Sequence, residues 1–241
     1  MDTGRQGACA HNNALWCNAV LTAAGATARF HAGFWQAEGR SLPLYPDIVT
    51  LSPQPGAEFF AALSALPANA AVKDSFDSLD LQASGFEKLL TGTWLFRPAQ
   101  TANKPALSTN WQKITHSEGL KKWLTGWNEN VNLHRVFPPS LLNLKTVDFA
   151  AITGNGAIKA GAVFNSGPKL DGKDLLGLTN VFCRKSWRYS ALHDLLEPFP
   201  HRPVCTYEAD DKLLPVYRQL GFESCGRLGV WVKPRPTSQS D

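Results

Sequence analysis

The chain has 241 residues, 44% apolar and 18% charged, with eight tryptophans, which supports a sizeable core and excludes a polar disordered tract. Its net charge of +4 is mild and comes without a basic cluster, so nucleic acid is excluded as the expected partner while a polyanionic ligand is not. No run of eighteen apolar residues occurs, so no segment reads as a membrane span.

In chain order, Asn12 or Asn13 is placed to cap a helix over 14–24 that Gly25 closes. Trp16, Cys17 and Asn18 interrupt the apolar segment 14–28, so it reads as a mature helix and not as a secretion leader. Segments 29–36 and 47–51 read as strands separated by a Pro- and Gly-containing turn. A buried helix over 58–66 follows, ended by Pro67, and then strands over 70–76 and 87–96. Residues 99–109 are small and polar with one proline, the composition of a linker.

A short strand over 111–114 comes next. Thr115 and Glu118 have the spacing of a capping box, and Leu120, Trp123, Leu124 and Trp127 recur at i, i+3, i+4 and i+7, an amphipathic helix. A short helix over 137–142 is expected after it. Gly154-Asn155-Gly156 between two apolar runs predicts a hairpin over 149–153 and 157–166. A strand over 175–183, a helix from about Trp187 to Leu196 and a strand over 204–208 continue the pattern. Asp210 or Asp211 then caps a helix whose Leu213, Tyr217 and Leu220 form one stripe. Gly221 stops it, and a last strand covers 228–233.

Five cysteines, odd in number and without a C-x-x-C pair, argue against a zinc site or a disulfide framework and for a reducing compartment. Together with the absence of a leader, this makes a cytoplasmic protein the expectation. The six histidines show no metal-ligand spacing. An internal echo is also present. Gly85-Phe-Glu leads to Trp94-Leu-Phe-Arg97-Pro98, and Gly221-Phe-Glu leads to Trp231-Val-Lys233-Pro234, each after a strand. It reads either as two strands that both need aromatic packing or as a partial repeat.

The segment Tyr207 to Gly226, with its Tyr217-x-x-x-Gly221-Phe222 core, resembles the last helix and strand of the Gcn5-related N-acetyltransferase family (GNAT). The element order over about 111–234 is similar to that family's topology. The resemblance implies an α/β fold, a GNAT-like mixed sheet flanked by helices and preceded by a shorter, related half. It divides the chain into residues 1–100, a linker over 101–110 and a core over 111–241. It implies coenzyme A-dependent N-acyl transfer, with acetyl-CoA as co-substrate and a small-molecule or peptide amine as acceptor, by direct attack. The alternative is a GNAT-like binding or regulatory protein without catalysis.

By the same resemblance Tyr217 is the general acid for the coenzyme A thiolate, and Glu208 accepts the amine proton directly or through water. The strand containing Asn180, Val181, Phe182 and Cys183 offers its backbone to pantetheine. The segment Arg184, Lys185, Ser186, Trp187, Arg188 stands where the family carries a glycine-rich pyrophosphate loop. The arginine position is kept, but Trp187 and Tyr189 fill the two glycine positions. Arg184, Lys185 and Arg188 are then left to hold phosphate by charge, with Ser186 as helix cap. Read as residues alone, Tyr217 also suits a core position, Glu208 a loop carboxylate, Asn180 a bulge, and the basic segment a solvated helix start.

Overall fold

The computed structural model of the protein describes residues 3–100 and 110–235; most of the expected linker lies outside the described residues. The chain opens with α1 (Thr3–Ala23), then β1 (Thr27–Phe30) and β2 (Phe34–Glu38). A first strand–helix–strand unit follows, β3 (Ile48–Thr50), α2 (Ala57–Ser64) and β4 (Ala71–Asp74), and then β5 (Glu87–Arg97). After β6 (Trp111–Ile114) and α3 (Ser117–Trp127) come the long strands β7 (Val147–Gly154), β8 (Ala157–Leu170) and β9 (Lys173–Cys183). The second unit is completed by α4 (Arg188–Leu196) and β10 (Val204–Glu208). The last elements are α5 (Leu214–Gln219) and β11 (Glu223–Val232). All these strands join one mixed sheet, ordered β1-β2-β3-β4-β11-β5-β10-β9-β8-β7-β6. Among the described residues no helix is long and apolar enough to cross a membrane.

The helices divide between the two faces. Trp16 and Val20 of α1 share a core with Leu120 and Trp123 of α3, so α1 and α3 lie together. Leu192 and Leu195 of α4 and Tyr217 of α5 pack on the opposite face, over Leu176, Leu178 and Val204. Phe59 and Leu63 of α2 cover Ile48 and Val72 on that same opposite face. Strand alternation carries both cores, with Leu175 turned to α1 and Leu176 to α4.

The two strand–helix–strand units are alike in register. Ile48 and Val49 pair in parallel with Val72 and Lys73, and Leu176 and Gly177 with Val204 and Cys205. The strand after each unit then crosses to the other unit. β5 lies between β10 and β11, and β11 between β4 and β5, with β5 and β11 antiparallel from Glu87↔Val232 to Phe96↔Glu223. This exchange accounts for the sequence echo. Gly85 and Gly221 both turn the chain in the left-handed region, at φ 78° and 82°, and Phe86 and Phe222 behind them are buried. At the far end of the partner strand a cation covers each ring. Arg97 lies 5.7 Å from the Phe222 centroid and Lys233 lies 5.8 Å from that of Phe86.

Several local expectations are corrected. The first helix begins at Thr3, so Asn12 and Asn13 sit inside it. Its early turns are held by tertiary bonds, the Gln6 amide donating to the carbonyls of Ser75 and Arg227 at 3.0 and 2.9 Å. Segment 29–36 is a hairpin and not one strand, because the chain reverses at Gly33, where a Cβ would meet the Pro55 oxygen at 2.6 Å. Thr115 does not cap α3. His116 does, its Nδ1 accepting from the Gly119 N–H, while Glu118 pairs with Lys121. In place of a helix over 137–142 there are two 3-10 turns, Val131–Val136 and Pro139–Asn143. Asp210 does cap the tail helix, which starts as a 3-10 turn before Pro215. The last strand begins at Glu223.

Because each half donates a strand to the other, a single backbone nick introduced between Gln100 and Asn110 is expected to leave the two pieces co-eluting in size-exclusion chromatography. Two separate, folded, monomeric fragments would contradict the exchange.

Candidate active site

The site begins where β9 and β10 part. Their parallel pairing ends at Gly177 and Cys205, yet β9 runs on to Cys183 and β10 to Glu208. On its other side β9 stays paired with β8, but with a register shift between Gly161↔Phe182 and Val163↔Thr179. Asn180 lies inside that shift at φ 53°, a residue type that tolerates the left-handed region. Asn180 is thus a bulge residue, and the bulge bends β9 away from β10. Beyond the last rung, the β9 edge over 178–183 faces a wedge and not a neighbouring strand.

On the α4/α5 face of this wedge, four expected residues come together. Tyr217 is 2% exposed, and its ring stands edge-on to Phe222 at 5.5 Å. Burial raises the pKa of its phenol well above the ordinary tyrosine range. The negative charge of Glu208 pushes the same way, with a contribution from Cys183, while Arg188 opposes them. Tyr217 shares one core with Cys183 at the end of β9 and with Ala191 and Leu192 of α4. Glu208 turns one oxygen back on its own chain, accepting the N–H groups of Ala209 and Asp210, each at 3.0 Å.

The start of α4 is open. Lys185–Trp187 forms a 3-10 turn, and the N-cap position falls on Trp187, with no side chain capping the helix. Ser186 is not the cap, and the turn is closed by the Trp187 N–H donating to the Arg184 carbonyl at 2.9 Å. Arg188 Nε is buried without a hydrogen-bond partner, and Arg184 lies 5.6 Å from the Trp187 ring. Trp187 and Tyr189 are exposed, so the aromatics at the glycine positions do not plug the wedge. The lysine side chain at 185 lies outside the described residues. Val181 and Phe182 are half-buried, and the Phe182 ring meets Trp123 edge-on at 5.0 Å, on the α3 face.

The opposite face of the wedge holds residues that the sequence did not single out. Tyr45, in a Pro-rich turn with no pattern to mark it, is half-buried with its hydroxyl enclosed and unpartnered among the described residues, which raises its phenol well above the usual range. Asn180, Cys17 and Tyr207 act on it electrostatically. Tyr45 also lines a cavity of about 710 Å³ on the α1 face, with Arg40, Lys73, Leu90, Arg135 and Tyr207. Tyr207 further borders a gap of about 20 Å³ at the parting strands, beside Asn12, Leu178 and Thr179.

Neither a protein-family model nor a curated protein matches the sequence. Solved structures do match in three dimensions. A GNAT-family protein from Novosphingobium aromaticivorans superposes with a TM-score of 0.56 at 11% identity, over 90% of this chain and 98% of that one. A Gcn5-related N-acetyltransferase from Kribbella flavida gives 0.54 at 12%, over 93% and 96%. A conserved protein of unknown function from Staphylococcus epidermidis gives 0.52 at 10%, over 83% and 84%. The fold is that of the GNAT superfamily. The site can be compared with what an acyl-CoA would need. The parted edge suits a pantetheine arm. The uncapped α4 start with the orphaned Arg188 Nε suits a phosphate, although no glycine cradle is there. On these observations the residues fit an acyl-CoA.

The Tyr217 shift has a consequence for stability. The folded chain keeps a proton that the unfolded chain loses near pH 10, so this contribution is present below about pH 10 and is lost above it. Denaturant titrations at pH 8 and 11 should show wild type losing more stability across that interval than Tyr217→Phe. Parallel losses would place the hydroxyl in water.

Proposed function

We propose that the chain is a coenzyme A-dependent N-acyltransferase that moves an acetyl group to a small-molecule or peptide amine. The observation that carries this reading is the parting of β9 and β10 beyond Gly177 and Cys205, with Tyr217 and Cys183 packed in one core beside the gap and Glu208 ending β10. Bound acyl-CoA supplies an activated thioester that an amine can attack directly. The backbone of 178–183 holds the pantetheine amides as an added strand would. Arg184, Arg188 and the open N-terminus of α4 bind phosphate oxygens by charge-assisted hydrogen bonds.

Tyr217 is the proton donor to the departing thiolate. Its raised pKa keeps it protonated throughout the neutral range, and its burial keeps competing water away. Glu208 draws the proton from the attacking amine through the oxygen not used by its own turn, directly or through water. The second reading, a cofactor-binding or regulatory protein without turnover, draws on one observation, the aromatics Trp187 and Tyr189 in place of glycines.

Acetyl-CoA at millimolar concentration should raise Tm, since a ligand that binds only the native state stabilises it. Arg188→Ala should cut that binding by about 10- to 100-fold, as expected for one lost charged hydrogen bond. No binding to wild type by calorimetry would end the acyltransferase reading. Tyr217→Phe preserves the ring and should lower kcat by about 10²–10⁴-fold with little change in acetyl-CoA affinity. An unchanged kcat would remove Tyr217 from the chemistry, and binding without any turnover would favour the second reading.

A further inference from the structure

The cavity on the α1 face is positive and half-apolar. Lys73 is only 6% exposed. Its ammonium donates to the Asn13 side-chain oxygen at 3.1 Å and lies 4.2 Å from the Tyr207 ring centroid. A lysine so buried ordinarily has a carboxylate partner, yet none pairs with it among the described residues. Arg40 and Arg135 line the same space, and neither forms an ion pair there among the described residues. The one acid in the wall, Asp47, is already committed, its two oxygens accepting the N–H groups of Ser41 and Ala71 at 3.0 and 2.8 Å. Leu44, Leu89, Leu90 and Val230 line the same cavity, Val230 directly beside Lys73 on the neighbouring strand, with Leu44 and Leu89 largely exposed at 67% and 66%.

The cavity also reaches the wedge. Tyr207 lines both the cavity and the small gap between the parting strands, and the Tyr45 hydroxyl on the cavity wall is buried without a partner among the described residues. An occupant of the cavity would therefore meet the site from the face opposite Tyr217.

We propose that this cavity is the acceptor site, and that the acceptor is an amine carrying a carboxylate and an apolar side group: an apolar amino acid or short apolar peptide. Lys73, assisted by Arg40 and Arg135, receives the carboxylate. The leucine-lined wall takes the apolar group, and the amine is left pointing at the gap beside Tyr207. This assignment rests on the acyltransferase reading for its chemistry, but its binding test needs neither cofactor nor turnover. A volume near 710 Å³ is in the range of small-molecule pockets and is generous for a dipeptide.

Calorimetry on the full chain without coenzyme A would compare L-phenylalanine and L-leucyl-L-phenylalanine with phenethylamine, which lacks the carboxylate, and with phosphoethanolamine, which carries a phosphate. The expected result is binding of the carboxylates at least about tenfold tighter than of the other two, the worth of one charge-assisted contact. Lys73→Met should erase that preference and Lys73→Arg should retain part of it. Arg40→Ala with Arg135→Ala, both at exposed positions, should weaken the carboxylates several-fold and leave phenethylamine unchanged, which tests the proposal even if the Lys73 variants fail to fold. Equal affinity for phenethylamine, preference for phosphoethanolamine, displacement of bound phenylalanine by coenzyme A, or no binding of either carboxylate would each overturn it. Carboxylate binding without acetyl transfer would count against the enzymatic reading alone.

Discussion

The antiparallel pairing of β5 with β11 is the constraint on which the rest depends. Neither strand completes the unit that precedes it in sequence, since each is hydrogen-bonded into the opposite unit. The sheet cannot form on one side of this seam alone. The terminal cations show how local the reinforcement is, because Arg97 covers Phe222 and Lys233 covers Phe86. A strand laid in the wrong register would expose both rings. β10 also owes its position to this seam, as its antiparallel contact with β5 runs from Val204↔Arg97 to Glu208↔Thr93. With β10 fixed on that side, the bulge at Asn180 opens the other side without loosening the sheet.

α1 ties the halves together across one face by polar means. The Asn12 amide donates to the carbonyls of Asn165 and Leu175, and the Asn165 amide donates back to the Asn12 backbone and side-chain oxygens at 3.1 Å each. A pair so buried is strongly directional, because each lost bond would leave a desolvated amide. It needs room at the strand below, and Gly177 gives it, since a Cβ there would stand 1.9 Å from the Asn12 oxygen. Gly177 is also the last rung before β9 and β10 part. The contact that anchors α1 therefore sits at the apex of the wedge.

Much of this was legible in the sequence where one residue type answers to one physical demand. Asn155-Gly156 took the two left-handed positions of the β7–β8 hairpin, Asp210 capped the tail helix, and the α3 stripe was read from period alone. What the sequence hid was whatever depends on long-range partners. The early turns of α1 are weak helix formers held by Gln6 and Asn12, so periodicity placed their start too late. The exchange of β5 and β11 left only an echo of seven or so residues, which chance packing would explain as well. Lys73 and Tyr45 carry no local pattern, because their significance lies in what surrounds them in space.

The two strand–helix–strand units also show why one wedge opens and the other stays shut. Where β3 and β4 end, the backbone is satisfied from within. Thr50 Oγ accepts the Ser75 N–H at 2.8 Å, and the Asp74 carboxylate accepts those of Phe76, Ser78 and Leu79 at 3.1, 2.7 and 2.8 Å. Burial pushes the Asp74 pKa up against these bonds, a cost that a site kept open for a ligand would not need. At the β10 end Thr206 replaces the aspartate, and the turn beyond is gathered by Glu208 from outside the strand pair. The closed unit contributes Lys73 and a wall of the cavity, the open unit contributes the wedge and the acid. A chain with two open wedges would duplicate the parted edge and lose that wall. The division into one filled unit and one parted unit is therefore what places a charged cavity directly behind a single wedge.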